Sequence, residues 1–173
     1  MTNYKQLLAD IDTFVFDVDG VMTNGIVLLT PEGEMLRSMN VKDGYALQLA
    51  VKKGYRIIII TGGSCEAVKG RFLSLGIKDI YLGVSNKLEL FNSIVEEENL
   101  DKKRILYMGD DLPDYEVMRE VGVAACPANA VEEIKGISRY ISGQDGGYGC
   151  VRDVIEQVMR IQNQWFHNDG FHW

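Results

Sequence analysis

Histidine is almost missing from this sequence. The two present, His167 and His172, lie in the last seven residues. An imidazole-based triad would need that tail to fold back over the body of the chain. Catalysis is therefore expected to rest on carboxylates, hydroxyls, lysine and a metal ion. Cysteine is scarce as well: Cys65, Cys126 and Cys150 make an odd number and no two form a Cys-x-x-Cys. Neither a disulfide framework nor a zinc site is indicated, and a reducing compartment is expected. Long apolar runs are lacking. The longest, Ile57 to Ile60, falls far short of a membrane span, and the first ten residues hold no signal-peptide stretch. The expectation is a soluble cytoplasmic protein with no membrane partner. Basic residues are outnumbered, 18 Lys and Arg against 25 Asp and Glu, for a net charge of −7. Such a chain lacks the footprint of a nucleic-acid binder, and an anionic substrate would need local cations to overcome the repulsion.

What is present is the material of one folded domain. The chain has 173 residues, 46% of them hydrophobic, enough to bury a core without staples. Apolar runs at 13–16, 56–60, 79–82, 105–108 and 123–125 alternate with amphipathic stretches at 43–53, 65–75, 86–98 and 112–121. Strands alternating with helices mean βαβ units and a parallel sheet. Arg-Ile-Ile-Ile-Ile at 56–60 is apolar on both faces, as suits a central strand covered on both sides. The expected fold is α/β: a three-layer Rossmann-like parallel sheet with helices on both faces. One insertion breaks the rhythm. Apolar runs at 25–29 and 35–39 flank Thr30-Pro31-Glu32-Gly33-Glu34 and predict a β-hairpin over about 25–39, directly after the first strand. A last helix at 150–164 spaces Val151, Val154, Ile155, Val158 and Ile161 on one face, after a flexible loop at 142–149. With no internal repeat, a single domain over 1–173 is expected. Its aromatic-rich tail at 165–173 could fray, bind a partner or pack on a neighbouring subunit.

Four segments carry chemistry. Asp17-Val18-Asp19-Gly20-Val21 closes the first strand, and two carboxylates two apart on extended chain share a face. Their repulsion is tolerable around a cation, and carboxylate oxygens with waters and a phosphate suit magnesium; a solvated turn is the plain alternative. Thr61-Gly62-Gly63-Ser64 follows the second strand and precedes a helix. A hydroxyl, freed backbone N–H groups and a helix N-terminus make an anion site, unless Ser64 or Thr61 simply caps the helix. Lys87 opens a helix, against the helix dipole. Gly109-Asp110-Asp111-Leu112-Pro113-Asp114 follows the fourth strand, and Asp111 or Asp114 could serve only as a cap. Ligands of a parallel α/β sheet bind beyond the carboxyl ends of its strands, so all four clusters converge on one crevice. That crevice has the parts to bind a metal and a phosphate and to attack phosphorus.

Taken in order, these segments resemble the four motifs of the haloacid dehalogenase superfamily of phosphohydrolases. The hairpin, Asn40-Val41-Lys42-Asp43-Gly44 and Gly146-Gly147-Tyr148-Gly149 are similar to the capless subfamily acting on 3-deoxy sugar acid phosphates, and the likeness runs from about residue 10 to 164. The resemblance implies a phosphomonoester hydrolase without a cap domain. Its substrate would be 3-deoxy-D-manno-octulosonate 8-phosphate, a lipopolysaccharide precursor. Asp17 would be the nucleophile, and Asp19 the acid and then the base. Thr61, Gly62 and Lys87 would hold the phosphoryl oxygens. Asp17, the Asp19 carbonyl and Asp110 would ligate Mg2+, with Asp111 and Asp114 behind them. Asn40, Lys42, Asp43, Gly44 and Arg71 would lie near the sugar acid. A homotetramer with shared active sites is implied too.

Two positions depart from the pattern. Gly63 stands where many relatives carry Arg and a sister group acting on nine-carbon sugar acids carries Glu, and Asn24 stands where Asp is frequent. A nine-carbon 2-keto-3-deoxy sugar acid 9-phosphate is thus the alternative substrate. A receiver-like phospho-signalling domain is the alternative of another class. It shares the sheet, the acidic metal site, a Thr or Ser and a Lys, but usually carries its phosphoacceptor on the third strand.

Overall fold

The computed structural model describes residues 4–165, so the tail at 166–173, with both histidines, lies outside the described residues. A short helix α1 (Tyr4–Leu8) leads into β1 (Thr13–Phe16), followed by the hairpin strands β2 (Leu28–Leu29) and β3 (Met35–Leu36). Next come α2 (Val41–Lys52), β4 (Arg56–Ile60), α3 (Glu66–Ser74), β5 (Asp79–Tyr81) and α4 (Lys87–Glu97). The C-terminal half holds β6 (Ile105–Met108), α5 (Tyr115–Met118), β7 (Val123–Cys126), α6 (Glu132–Ile137), β8 (Tyr140–Ile141) and α7 (Cys150–Ile161).

Six strands form one parallel sheet in the order β5-β4-β1-β6-β7-β8. Side chains alternate across it with the period of two that a strand imposes. Phe14, Phe16, Ile57, Ile59, Leu106, Met108, Val123 and Ala125 face one core, built with α1, α2, α3 and α7. Val15, Ile58, Ile60, Ile105, Tyr107, Ala124 and Cys126 face the other, with α4, α5 and α6. Two covered faces explain why the central strands are apolar throughout. Small residues let helices approach closely: Ala46 and Ala50 of α2 are buried in the same core as Val151, Val154, Ile155 and Val158 of α7.

The topology fixes the site. From β1 the chain winds outward through β4 to β5, then returns to the other side of β1 through β6, β7 and β8. The order reverses between β1 and β6, and the crevice beyond their carboxyl ends is the natural ligand position.

Several elements differ from the sequence expectation. The stretch 112–121 is not one helix: a 3-10 turn, Leu112–Asp114, with Pro113 in its first turn, precedes the single-turn α5. The last helix ends at Ile161, and α1, α6 and β8 are additional. The hairpin pairs only Leu28 with Leu36 and Leu29 with Met35, and it stands apart from the main sheet with both strands exposed. No described helix is long and apolar enough to cross a membrane.

Candidate active site

Asp17 is the first residue beyond β1, and its N–H still donates to Met108 O (3.1 Å), continuing the ladder with β6. The backbone then turns sharply, with Met22 and Thr23 N–H donating to Val18 O at 2.9 and 3.0 Å. Gly20 sits in that turn at φ +86°, and a Cβ there would come within 2.0 Å of Asp110 Oδ2. Glycine is demanded twice, by the left-handed backbone and by the close approach of the Asp110 carboxylate.

Thr61 follows β4, and its hydroxyl accepts from Gly63 N–H (3.1 Å). Neither Thr61 nor Ser64 caps α3: the N-cap position is Cys65, which makes no side-chain capping bond. Asn86 caps α4 instead of leaving that task to Lys87, accepting from Glu89 N–H at 3.1 Å. Lys87 is then free to turn inward. Its buried Nζ lies 2.9 Å from Asp17 Oδ1 and 2.7 Å from Asp114 Oδ1. Two carboxylates account for a cation at a helix start, where the dipole disfavours it.

The loop after β6 supplies the remaining acids. Asp111 caps the 3-10 turn, accepting from Leu112 N–H at 2.8 Å. Asp114 is buried and saturated: Oδ1 accepts from Lys87 Nζ and from the Tyr107 hydroxyl (2.7 Å each), Oδ2 from Asp110 N–H (3.2 Å). Gly109 makes room for it, since a Cβ there would lie 2.4 Å from Asp114 Cβ. Tyr107 was not foreseen from the sequence. It sits in a run that reads as pure core, and only the pairing of its hydroxyl with Asp114 gives it a part in the site.

Charge is dense and poorly solvated here. Burial and the charge of Asp114 push the Asp17 carboxyl up to about 7, against the pull of Lys87. Burial, Asp17 and Asp114 push Asp110 up to about 7 as well. Burial works against the Lys87 ammonium, but Asp17 and Asp114 outweigh it and hold the group above its ordinary value. Carboxylate oxygens of Asp17, Asp110 and Asp114 lie within 4.8 Å of one another. Asp114 already accepts three hydrogen bonds, whereas Asp110 Oδ1 is buried with no partner. Asp17 and Asp110 thus fit a hard divalent cation: an orphaned oxygen, two carboxylates that resist ionising side by side, and an all-oxygen donor set.

These groups line an open crevice of about 490 Å3 that also takes in Asp19, Gly62, Gly63, Ser85 and Asp111. Asp17, Asp19, Thr61, Gly62, Lys87, Asp110, Asp111 and Asp114 are thereby brought together as expected. Asn40, Lys42, Asp43, Gly44 and Arg71 are not: none lines the crevice. Asn40 caps α2 by accepting from Lys42 N–H (2.8 Å), and its Nδ2 donates to Gly147 O (3.4 Å). Asp43 is 2% exposed and accepts from Arg152 N–H at the start of α7 (2.7 Å); burial raises its carboxyl to about 6. The Arg71 guanidinium lies against Gly44, where a Cβ would be 2.5 Å from Nη2. Lys42 lines a separate groove with Tyr148 and Arg152. Within one chain this segment joins α2 to α7 and to the glycine loop.

One residue at the crevice went unnoticed in the sequence. Arg37, just past β3, donates from Nε to Asp19 Oδ1 (2.7 Å) and from Nη2 to Asp19 Oδ2 (3.0 Å). The available signal was that Arg37 is the sole basic residue in the 25–39 insertion.

Known proteins place this arrangement. The profile of the haloacid dehalogenase-like hydrolases matches residues 74–152. The 3-deoxy-D-manno-octulosonate 8-phosphate phosphatase of Escherichia coli is 34% identical over 155 residues, covering 90% of this chain and 82% of the relative. The crystal structure of the Moraxella catarrhalis phosphatase of the same name, in complex with magnesium, phosphate and KDO, superposes with a TM-score of 0.90 at 34% identity. That match covers 94% of each chain. The Yersinia pestis phosphatase gives a TM-score of 0.91 at 31% identity, covering 94% of this chain and 88% of that one. With its crevice, its acidic cluster and its near full-length likeness to these enzymes, the chain belongs to the 3-deoxy-D-manno-octulosonate 8-phosphate phosphatase family of the haloacid dehalogenase-like hydrolases.

Proposed function

We propose that this chain hydrolyses 3-deoxy-D-manno-octulosonate 8-phosphate to the free sugar acid and phosphate, as a magnesium-dependent step of lipopolysaccharide precursor synthesis. The observation that carries the reading is the buried Lys87 Nζ between Asp17 and Asp114, with the orphaned Asp110 oxygen in the same crevice. A dianionic phosphate ester needs both the ammonium and a divalent cation to approach three carboxylates.

Magnesium would be held by Asp17, Asp110 and the Asp19 carbonyl, where it would neutralise the crowded carboxylates and polarise the phosphoryl oxygens. Lys87 Nζ and the Thr61 hydroxyl hold the phosphoryl group against Asp17. An Asp17 oxygen attacks phosphorus, the bond from phosphorus to the sugar oxygen breaks, and that oxygen keeps the bonding electron pair and takes a proton from Asp19. Asp19 then removes a proton from water, which attacks the aspartyl phosphate and frees Asp17 and phosphate. Asp114 does not react. Its bonds to Lys87, Tyr107 and Asp110 N–H keep the ammonium and the Asp110 loop in place. A long-lived signalling phospho-aspartate would gain nothing from an acid–base group two residues away.

The same reading includes a homotetramer whose sites are finished by neighbours. Its support is the hairpin, where Leu28 and Leu29 are 66% and 69% exposed and Ile26, Met35 and Leu36 are exposed beside them. An apolar ribbon with unpaired edges invites a second copy. The setting is the cytoplasm, where thiols such as Cys65, Cys126 and Cys150 stay reduced.

Side-by-side kinetics on the eight-carbon 8-phosphate and the nine-carbon 9-phosphate, with magnesium and with chelator, test the proposal. The expected result is a higher kcat/KM on the eight-carbon ester and no turnover in chelator. Preference for the nine-carbon ester, or full activity without a divalent cation, overturns it.

A further inference from the structure

The fork between Arg37 and Asp19 poses a problem for the reaction. Both Asp19 oxygens accept from the guanidinium, at 2.7 and 3.0 Å, while Arg37 Nη1 donates to Met35 O at 3.0 Å. The Arg37 side chain is 10% exposed and that of Asp19 39%, so the cation is covered while the carboxylate stays open, and the two meet in a bidentate charge-assisted contact. Asp19 is nevertheless the group that must meet the leaving oxygen. A leaving group that approaches Asp19 from the crevice meets the N–H donors of the fork at the same carboxylate, and so comes to lie beside the guanidinium.

The surroundings say what that donor meets. Lys87 lines the crevice between Asp17 and Asp114 and, in the proposed reaction, faces the phosphoryl group, so it is not the cation for the rest of the substrate. On the floor opposite Arg37, Gly63 offers no side chain. A Cβ there would lie 3.5 Å from Asp19 Oδ2, 3.6 Å from Thr61 Oγ1 and 3.7 Å from Arg37 Nη2. The guanidinium therefore stands close to Asp19, Thr61 and Gly63 at the wall of the crevice, with no side chain at position 63 to compete for its N–H donors. A planar fork of N–H donors released from one carboxylate is best satisfied by another.

We propose that Arg37 is a specificity-determining residue: on substrate binding it gives up part of its fork on Asp19 and donates instead to the carboxylate of the leaving group. The inference rests on the proposed function for the identity of that acid, but it concerns Arg37 alone. The hairpin then brings to the site the cation that distinguishes an acidic leaving group from a neutral one.

The test uses the full-length protein with magnesium and a matched pair of substrates: the sugar acid phosphate and its analogue with the carboxylate reduced to an alcohol. Wild type should prefer the acid. In Arg37→Gln the acid-to-alcohol ratio of kcat/KM should fall roughly 10- to 100-fold, the range of one charge-assisted hydrogen bond, mainly through KM. Arg37→Lys, which keeps the charge and loses the fork, should restore part of the ratio and guards against a variant that fails to fold. Equal losses on both substrates would show that Arg37 only positions Asp19, and an unchanged ratio, or no preference in wild type, would equally overturn the proposal. Failure of the functional reading shows elsewhere, as a wild type that prefers a different acidic phosphate while the ratio still depends on Arg37.

Discussion

The carboxylate cluster makes the stability of the protein depend on pH and magnesium together. Asp17 is raised in the folded chain from 3.8 to about 7. A carboxyl whose folded pKa lies above its unfolded value favours folding most when protonated. Its contribution is therefore fully present below about pH 4 and is lost as pH climbs through about 7. One pKa unit corresponds to about 1.4 kcal/mol, so a shift of about three units costs the cation-free protein up to about 4 kcal/mol at pH 8 relative to pH 4. Asp110 sits in the same field, so its effect overlaps with that of Asp17 and the single-group figure is the one to use. For a chain of this size 1 kcal/mol moves the melting temperature by roughly 2–4 °C. Bound magnesium favours the ionised pair and cancels the loss. Thermal unfolding in chelator and in saturating magnesium, measured from pH 4 to 8.5, should give nearly coincident melting temperatures at pH 4, a gap that widens up to about pH 7, and a gap of about 10 °C at the basic end. Asp17→Asn should close most of that gap by raising the chelator curve. A gap that stays constant with pH would refute the argument.

Three further outcomes follow from the same geometry. Single-turnover hydrolysis in heavy-oxygen water should label the Asp17 carboxylate, read by peptide mass spectrometry; label confined to phosphate would mean direct attack by water. Asp19→Asn should retain phosphate and magnesium binding by calorimetry yet lose roughly 10²–10⁴-fold in kcat. Asp114→Asn sets an amide N–H donor against Asp110 N–H or leaves Lys87 and Tyr107 short of an acceptor, so it should destabilise the fold by about 1–3 kcal/mol in urea titrations.

Much of this was legible in the sequence because the elements concerned obey local rules. The runs at 13–16, 56–60 and 105–108 became β1, β4 and β6 with the same limits, since strands apolar on both faces leave few alternatives. Asp17, Thr61, Lys87 and Asp110 fell on the crevice because each lies just beyond the carboxyl end of a parallel strand or, for Lys87, one short loop further, and topology brings such ends together. What local pattern cannot report is a partner distant in sequence. Asp43 looks like a crevice carboxylate until it is found buried between α2 and α7, its Oδ1 accepting from Arg152 N–H 109 positions on. Tyr107 looks like core until Asp114 takes its hydroxyl. Arg37 looks like a solvated hairpin charge until Asp19 meets it across 18 positions. The short 3-10 turn at Leu112–Asp114 was missed for a different reason. Its acids satisfy helix-start rules, but burial of Asp114 beneath Lys87 ends the regular pattern early.

The position of β1 in the sheet has a consequence for biosynthesis. β1 lies between β4 and β6, so the strand made first holds the centre and has partners that begin at Arg56 and Ile105. Until β6 has emerged from the ribosome, one side of β1 has no neighbour and Asp17 N–H has no Met108 carbonyl to donate to. A nascent chain stalled before residue 105 carries the first acidic motif, the hairpin and Thr61, yet it can form only the half-sheet β5-β4-β1, with an open apolar edge along β1. Such an edge is a template for mispairing. The order of synthesis thus makes the nucleophile the first site residue to be made and one of the last to be set in place. It also makes the interval between translation of β4 and β6 the period in which the apolar edge of β1 has no partner strand.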